Sequence, residues 1–596
     1  MEDNSHKGGR KLRESSRAVK HLNTAEIAEF LAESDDELFL DNSDEDPDYE
    51  DGDSESDGED GDHTPEHLDI VDDHQIENQQ TVQNTVQPNL RDEIWFSEKD
   101  NSHSVGVPEF LGSHKVNFVG DVPLDYFLKL FSIDLLEEIT FQTNLYALQK
   151  GKENLALSIS ELKIFLGVAL VMSYIKYPRI RQYWSQQAGL RMDLIADAIS
   201  VNRFEEIRQY LHFIDSNSIP ANNTDKAIRV RPILDKLHEN FHAAVDAEEC
   251  HSVDEMMIPF KGRSSLKQYL PRKPKRWGYK MWVRAGISGY VYCFELYQGA
   301  SGGRADITDC GAVGDVVLRL CHDLHGKNHK VYADNLFSSI PLVKKLRDSE
   351  IWYVGTMRIN RMKNADRKLK SHKDLKQEGR GSSSQVTSNN DVTITRWLDN
   401  SLVHVVSSYA GKTPESETER FSRKEKRRVP IKRPFSVDLY NKHMGGVDLM
   451  DSLVALYRND VRNKRWYMRI FYHMLNVTVV NGWILWKWND HQKMDLLEFK
   501  SRVASGLIYT GLAELNRKKR GRPSLEEQTP APVKKRVTNS VPLELRFDGG
   551  SHFPKKTEGK FANRCRDKHC QSKTRYECNT CKVPVCPECM LSFHTK

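Results

Sequence analysis

The chain reads as α/β: a mixed sheet flanked by helices, preceded by an all-helical unit and closed by a small metal-stapled module. Three observations predict this. Apolar residues recur at helical spacing from Pro123 to about Ala247. At His251 the period changes to strands, and then to strands alternating with helices. Six of the ten cysteines crowd between Cys565 and Cys589. Strands followed by alternating strand and helix describe a sheet covered by helices, and clustered thiols describe a metal site.

At 596 residues the chain exceeds what one core organises, so several domains are expected. A net charge of +2 hides strong asymmetry: Glu33 to Asp62 holds no Lys or Arg, whereas Lys261 to Arg284 and Arg517 to Arg536 are strongly basic. No apolar N-terminal signal is present. The longest apolar run, Ile164 to Met172, is shorter than the ~20 residues a bilayer requires. The expectation is an intracellular, soluble protein with no membrane partner, whose thiol cluster holds metal rather than disulfides. Cys250, Cys293, Cys310 and Cys321 are scattered and are expected to be buried.

Residues 1 to 105, acidic and poor in aromatics, are expected to stay disordered. Within them Thr24 to Ala32 forms a short amphipathic stretch suited to docking on a partner. Ser34, Ser43 and Ser56 each precede acidic residues and are candidates for acid-directed phosphorylation. Pro123–Phe131, Ser160–Ala169 and Arg203–Leu211 read as helices of a unit spanning 106–250. His251–Phe260 reads as the first strand. Lys280–Ala285 and Tyr290–Tyr297 follow as a hairpin, then a helix over Val313–Leu324, a strand His329–Asp334, a helix from Ser338 and a strand Ile351–Met357.

Four carboxylates stand out in this frame. Asp254 lies in the first strand and Asp334 closes a later one, where α/β sheets place chemistry. Asp448 and Asp451, three residues apart behind Gly445-Gly446, share one face of a helix start; the glycine pair permits a tight turn or close approach. Capping and turn roles are the ordinary explanation for any one of them. Converging on one sheet edge, Asp254, Asp334 and Asp448 offer hard oxygen ligands suited to Mg²⁺, and a pair of such ions about 4 Å apart serves phosphodiester chemistry. Basic residues interleaved with aromatics lie close by in sequence: Lys261, Arg263, Lys273, Lys275, Arg276 and Trp277, then Arg462, Lys464, Arg465 and Trp466. They are the candidate DNA-binding residues.

Taken together, Ser-Val-Asp254-Glu, Pro-Phe-Lys-Gly-Arg263, Tyr-Ala-Asp334-Asn-Leu-Phe-Ser-Ser and Gly-Gly-Val-Asp448-Leu-Met-Asp451 resemble the piggyBac family of cut-and-paste DNA transposases. The resemblance runs from about Pro108 to the C-terminus. It implies an RNase H-like catalytic core over 251–354 and 431–458, interrupted by a polar, β-prone insertion over 355–430, with helices over 106–250 and 459–515 serving dimerisation and DNA binding. It places Asp254, Asp334 and Asp448 in the metal-binding triad, Asp451 as the additional acidic residue and Trp466 as the aromatic near the active site. It further implies a nuclear homodimer that uses two Mg²⁺ ions, with Mn²⁺ as a substitute, cuts the terminal inverted repeats of its element through hairpin ends, and integrates at TTAA. The alternative is a domesticated descendant that binds DNA or chromatin without cutting.

Residues 516–546 read as a basic linker, whose clusters Arg517–Arg520 and Lys534–Arg536 resemble a nuclear localisation signal. Over 547–596 the ligands Cys565, Cys570, Cys578, Cys581, Cys586, Cys589 and His594 call for two cross-braced Zn²⁺ ions. The eighth ligand is His552 or His569. His552 is favoured because members of the resembled family carry a histidine ahead of the first cysteine, while the four residues between Cys565 and Cys570 leave His569 as a substitute for Cys570.

Overall fold

The structure, a computed structural model, describes residues 93–97, 106–271, 273, 275–299, 307–422, 425–460, 463, 465–489, 491–519, 546–547, 549–557 and 562–595. Thr24–Ala32, the acidic stretch with Ser34, Ser43 and Ser56, and the linker beyond 519 lie outside the described residues. The chain divides into two compact units, residues 1–519 and 520–596.

The first unit is built on one ten-stranded mixed sheet. Its strands are β1 (Trp95–Ser97), β2 (Cys250–Pro259), β3 (Lys267–Tyr269), β4 (Trp277–Gly286), β5 (Val291–Leu296), β6 (Lys330–Ala333), β7 (Trp352–Thr356), β8 (Ser383–Ser388), β9 (Thr393–Leu398) and β10 (Leu402–Ser407). Their order is β1-β8-β9-β10-β7-β6-β2-β4-β3, and β5 also pairs with β4. Only β2, β6 and β7 run parallel to one another; the other pairings are antiparallel. The expected hairpin is β4–β5, and the parallel strands follow helical crossovers, as parallel pairing requires.

Six α-helices lie between β1 and β2: α1 (Pro123–Leu130), α2 (Ile133–Gln149), α3 (Ile159–Tyr174), α4 (Asp193–Ala196), α5 (Val201–Tyr210) and α6 (Arg231–Ala244). Helix α3 starts in a capping box, in which Ser158 and Glu161 satisfy each other's backbone N–H groups. It is apolar on all sides because it is buried on all sides. The crossovers carry α7 (Gly311–Leu320) and α8 (Ile340–Asp348); α9 (His372–Glu378) lies between β7 and β8. After the last sheet strand come a two-stranded ribbon, β11 (Ser416–Ser422) with β12 (Arg427–Arg433), and then α10 (Phe435–His443), α11 (Gly446–Leu456), α12 (Trp466–Trp488) and α13 (Leu496–Lys519).

Alternation along β4 sends Tyr279, Met281, Val283 and Ala285 into a core shared with Phe165, Phe471, Leu475 and Val503 of the surrounding helices, while Trp282 joins Val317, Ala333 and Phe337 on the other face. The helices before β2 and those after α11 therefore form one continuous interior with the sheet. Helix α3 meets α13 so closely that a β-carbon on Gly167 would lie 2.7 Å from the Ala504 carbonyl. Buried Lys163 adds a 2.7 Å ion pair to Glu514 across this contact.

Two expectations change. Trp95–Ser97, inside the region read as disordered, is an edge strand on β8, and Trp95 is buried. The insertion, legible only as β-prone patches, contributes three strands that lengthen the central sheet. No helix among the described residues is long and apolar enough to cross a membrane.

The second unit contains the short pairs β13 (Pro554–Lys556) with β16 (Tyr576–Cys578) and β14 (Asn563–Arg564) with β15 (Lys573–Thr574), then one helical turn, Met590–His594. Its apolar interior amounts to Val585, Met590 and Phe593 packed among cysteines. So few apolar residues cannot hold a fold without cross-links or metal.

Candidate active site and metal centres

Strand register brings the first two aspartates together. Parallel β2 and β6 pair Ser252 with Tyr332 and Val253 with Ala333, so Asp254 and Asp334 come next on adjacent strands about 4.8 Å apart. Asp254 Oδ1 accepts the Glu255 N–H at 2.8 Å, and Asp334 Oδ1 accepts the Leu336 N–H at 2.8 Å. The third aspartate arrives by helix docking. The Val447 N–H donates to Ser252 Oγ at 3.1 Å, two residues before Asp254, and Asp448 is the next residue along α11.

Gly446 allows that docking. A β-carbon there would lie 2.2 Å from the Gly286 carbonyl oxygen and 2.7 Å from Ser252 Oγ, whereas one on Gly445 meets nothing within 4 Å. Neither glycine is needed for left-handed backbone; close approach is the reason for the second one. Gly446→Val is expected to destabilise the unit by about 1–3 kcal/mol, the usual cost of overpacking, and to lift Asp448 from the site. Gly445→Ala should leave the unfolding midpoint unchanged. Paired thermal melts check both.

The carboxylates of this region act on one another's charge. Burial pushes the Asp254 carboxyl well above its ordinary range, and the neighbouring Glu255 and Asp334 add to this while Lys273 opposes it. Asp334 is raised by burial and by Glu255, against Arg358 and Lys280. Asp451 is raised by burial, with Arg458 and Lys273 opposing and Asp448 adding. Burial alone would lower the Lys273 pKa, but Asp254, Glu255, Asp448 and Asp451 together raise it. Lys273 Nζ also donates to the Glu255 carbonyl at 3.1 Å. The Tyr440 hydroxyl on α10 is pushed up to about 12 by burial and then by Asp334, Asp254 and Asp448. A half-buried pocket of like charges is costly unless cations sit in it.

Glu255, Tyr440 and Arg358 border the pocket and were missed by sequence reasoning, while Lys280 belongs to the basic run read beside Asp254. Glu255 was visible beside Asp254; Tyr440 and Arg358 reach the pocket only through strand order. Arg361 donates to the Asn335, Leu336 and Ser338 carbonyls and so holds the turn that follows Asp334.

The DNA-binding candidates separate. Lys261, Arg263 and Arg276 are exposed and Lys275 is half-buried. Lys267 Nζ lies 4.9 Å over the exposed Trp277 ring, which packs on exposed Tyr269. Lys273 faces the acidic pocket. Trp466, half-buried at the start of α12, meets Tyr279 edge-on at 6.1 Å. Arg465 needs a correction: its guanidinium is buried and donates to the Leu211 carbonyl at 2.8 Å and to the Arg208 carbonyl, so it closes the end of α5 and cannot reach DNA. Arg462 and Lys464 lie outside the described residues.

At the far end of α11 sits a buried cation. Lys500 Nζ donates to the Tyr457 carbonyl at 2.7 Å and to Asn476 Oδ1 at 2.6 Å, closing the C-terminus of the helix that carries Asp448 and Asp451. Burial lowers its pKa from the lysine range to about 7. The unfolded chain then binds a proton between about pH 7 and pH 10 that the folded chain does not, so stability contributed here rises with pH through that window. Below pH 7 the burial cost is present in full. Urea midpoints are expected to climb from pH 7 to 9 in the wild type and to climb less in Lys500→Met.

In the second unit two groups of donors come together with ligand atoms within 4.8 Å of one another: His552, Cys578, Cys581 and His594, and Cys565, Cys570, Cys586 and Cys589. Members alternate along the chain, which is a cross-brace. His569 is in neither group. Among the described residues the aspartate pocket forms no third group of that tightness. Cys570 and Cys586 sulfurs are 3.9 Å apart and His552 Nδ1 is 3.3 Å from Cys578 Sγ. These are edges of a tetrahedron with bonds of about 2.0–2.3 Å, and far too long for a disulfide. The donor sets, Cys₂His₂ and Cys₄, suit zinc.

Comparison with known proteins places this fold in a transposase family. The family profile described as Transposase IS4 matches residues 122–483. The human PiggyBac transposable element-derived protein 3 is 33% identical over 474 residues, covering 79% of this chain and 76% of that protein. The human PiggyBac transposable element-derived protein 2 is 33% identical over 389 residues, 64% of each. A cryo-EM structure of a piggyBac transposase synaptic complex with hairpin DNA superposes with a TM-score of 0.56 at 20% identity, covering 77% of this chain and 97% of that one. The chain belongs to the piggyBac family.

Proposed function

We propose that this protein is a metal-dependent DNA transposase whose RNase H-like core uses Asp254, Asp334 and Asp448 to bind two Mg²⁺ ions, with Asp451 supporting them. The carrying observation is convergence: Asp254 on β2 and Asp334 just past the end of β6 follow directly after paired residues of adjacent strands, and a third aspartate sits on a helix pinned to Ser252. Strand order β5-β4-β2-β6-β7, with helices in the crossovers, supports the RNase H-like reading. Mn²⁺ fits the same hard oxygen donors.

When bound, a pair of such ions supplies activation of an attacking oxygen and stabilisation of the leaving oxygen in an in-line displacement at phosphorus. The chain's own residues do the rest. Asp254, Asp334 and Asp448 hold the ligand oxygens in place. Asp451, ion-paired to Arg458 at 3.9 Å, steadies α11. Lys273, Lys280 and Arg358 surround the pocket with positive charge that draws and orients a phosphate backbone. A water attack frees a 3′-hydroxyl, which attacks the opposite strand to form a hairpin that is then reopened and joined at TTAA. The helices over 106–250 and 459–515 serve dimerisation and DNA binding, the zinc unit holds two Zn²⁺ ions, and the homodimer acts in the nucleus. A non-cutting DNA-binding descendant is the alternative, favoured by relatives named as element-derived.

The test takes linear DNA carrying the inverted repeats that flank the reading frame beside TTAA, with purified protein and Mg²⁺. Hairpin-ended product is expected. Binding without any cut on those ends would overturn the cutting reading in favour of the alternative.

A further inference from the structure

The ribbon β11–β12 takes no part in the pocket, yet its charge distribution is lopsided. Residues 416–433 contain eight Lys and Arg against three Glu. The base is rooted in the sheet. Asp399 holds both Arg380 and Arg420, at 2.8 and 3.1 Å, the Trp397 indole N–H donates to the Lys432 carbonyl at 2.9 Å, and Arg433 pairs with Asp438. One face packs inward through Val429 and buried Ile431. The opposite face is free, and its cross-strand pairs are Glu417 with Lys432, Glu419 with Pro430 and Phe421 with Arg428. Glu417 and Glu419 thus offset charge near the base, and the third glutamate, Glu425, lies in the tip turn and pairs with Arg427 at 2.7 Å, which leaves Lys426 and Arg428 as the tip's excess positive charge among the described residues. There Phe421 is 59% exposed, and Lys426, Arg427 and Arg428 are exposed.

The turn adds an independent sign. Lys426 has φ +52°, in the left-handed region where glycine is favoured, so the turn bears a strained cation where an uncharged glycine would fold more easily.

We infer that the tip of this ribbon is a second contact for duplex DNA, separate from the basic run beside the acidic pocket. The inference rests on the reading that the protein works on DNA. A two-stranded ribbon fits the major groove, which is about 12 Å wide. Lys426 and Arg428 meet phosphates on its rim, and Phe421 offers an apolar surface to base edges or thymine methyls.

The experiment measures affinity of the full chain for a labelled mixed-sequence duplex across a sodium chloride series. Variants are Lys426→Gly with Arg428→Ala, Phe421→Ala, and Lys275→Ala with Arg276→Ala as a comparison in the other basic run. The ribbon double variant is expected to bind several-fold more weakly and to flatten the log affinity against log salt slope by about 1.8, the loss of two phosphate contacts. Lys426→Gly alone should keep or raise the unfolding midpoint, because glycine relieves the turn. Phe421→Ala should weaken binding with the salt slope unchanged. Identical affinity and slope in the ribbon double variant would overturn the inference while the proposed function stands. Failure of the wild type to bind duplex DNA at all would overturn both.

Discussion

Asp254→Asn, Asp334→Asn and Asp448→Asn are each expected to lower cutting of element ends by about 10²–10³-fold, the scale on which loss of one preorganised electrostatic partner is felt. Asparagine keeps the volume and removes the charge, so the fold and DNA affinity should stay within a few-fold of wild type. Stability gives a second readout. Because the pocket concentrates carboxylates that burial has pushed toward protonation, Mg²⁺ should raise the melting temperature of the wild type and raise it less in each variant. Asp451→Asn, one helical turn from Asp448, should lose less activity than any of the three. Full cutting by all three variants would end the assignment of the pocket. The pH dependence follows from the same shifts: carboxylates held above their ordinary range must ionise to ligate, so activity should fall on acidification earlier than ordinary aspartates would dictate.

Removing zinc is expected to unfold the second unit outright. Its buried interior consists of three apolar side chains and three cysteines, with Val583 and the other three cysteines packed against them, and structural zinc contributes about 10–16 kcal/mol in comparably small modules. Two zinc ions per chain are expected by elemental analysis. A strong chelator, or Cys578→Ser with Cys565→Ser, should render residues 546–595 protease-sensitive while residues 106–519 melt as before. His569→Ala should retain both ions and His552→Ala should lose affinity for one. Zinc stoichiometry near zero, or protease resistance unaffected by chelation, would refute the assignment.

Much of the central sheet was legible because its strands are hydrophobic and its turns are punctuated. His251–Phe260 became Cys250–Pro259, and Ile351–Met357 became Trp352–Thr356. β8 escaped because Ser383–Ser388 is nearly all polar, and its burial comes from neighbours rather than from its own composition. β1 escaped because its partner lies 293 residues along the chain, pairing Trp95 with Ser388. The ribbon was hidden by charge on both strands. At the site, aspartates at strand and helix ends announce themselves through motif context, but Tyr440 and Arg358 reach them only once β7 is known to lie beside β6. Arg465 shows the opposite failure. A basic cluster reads as a surface, and only tertiary packing reveals that one of its members closes a helix from inside.

The three-residue strand at Trp95–Ser97 has a practical consequence. It caps the outer backbone of β8 and is fastened there by Glu93, which pairs with Lys344 and accepts from Asn390 at 3.0 Å. A shortened chain starting at residue 106, trimmed to discard an apparently dispensable tail, would leave a row of unsatisfied amides and carbonyls open to any passing strand. Such a preparation would self-associate edge to edge, and its loss of solubility would be mistaken for a defect of the folded core.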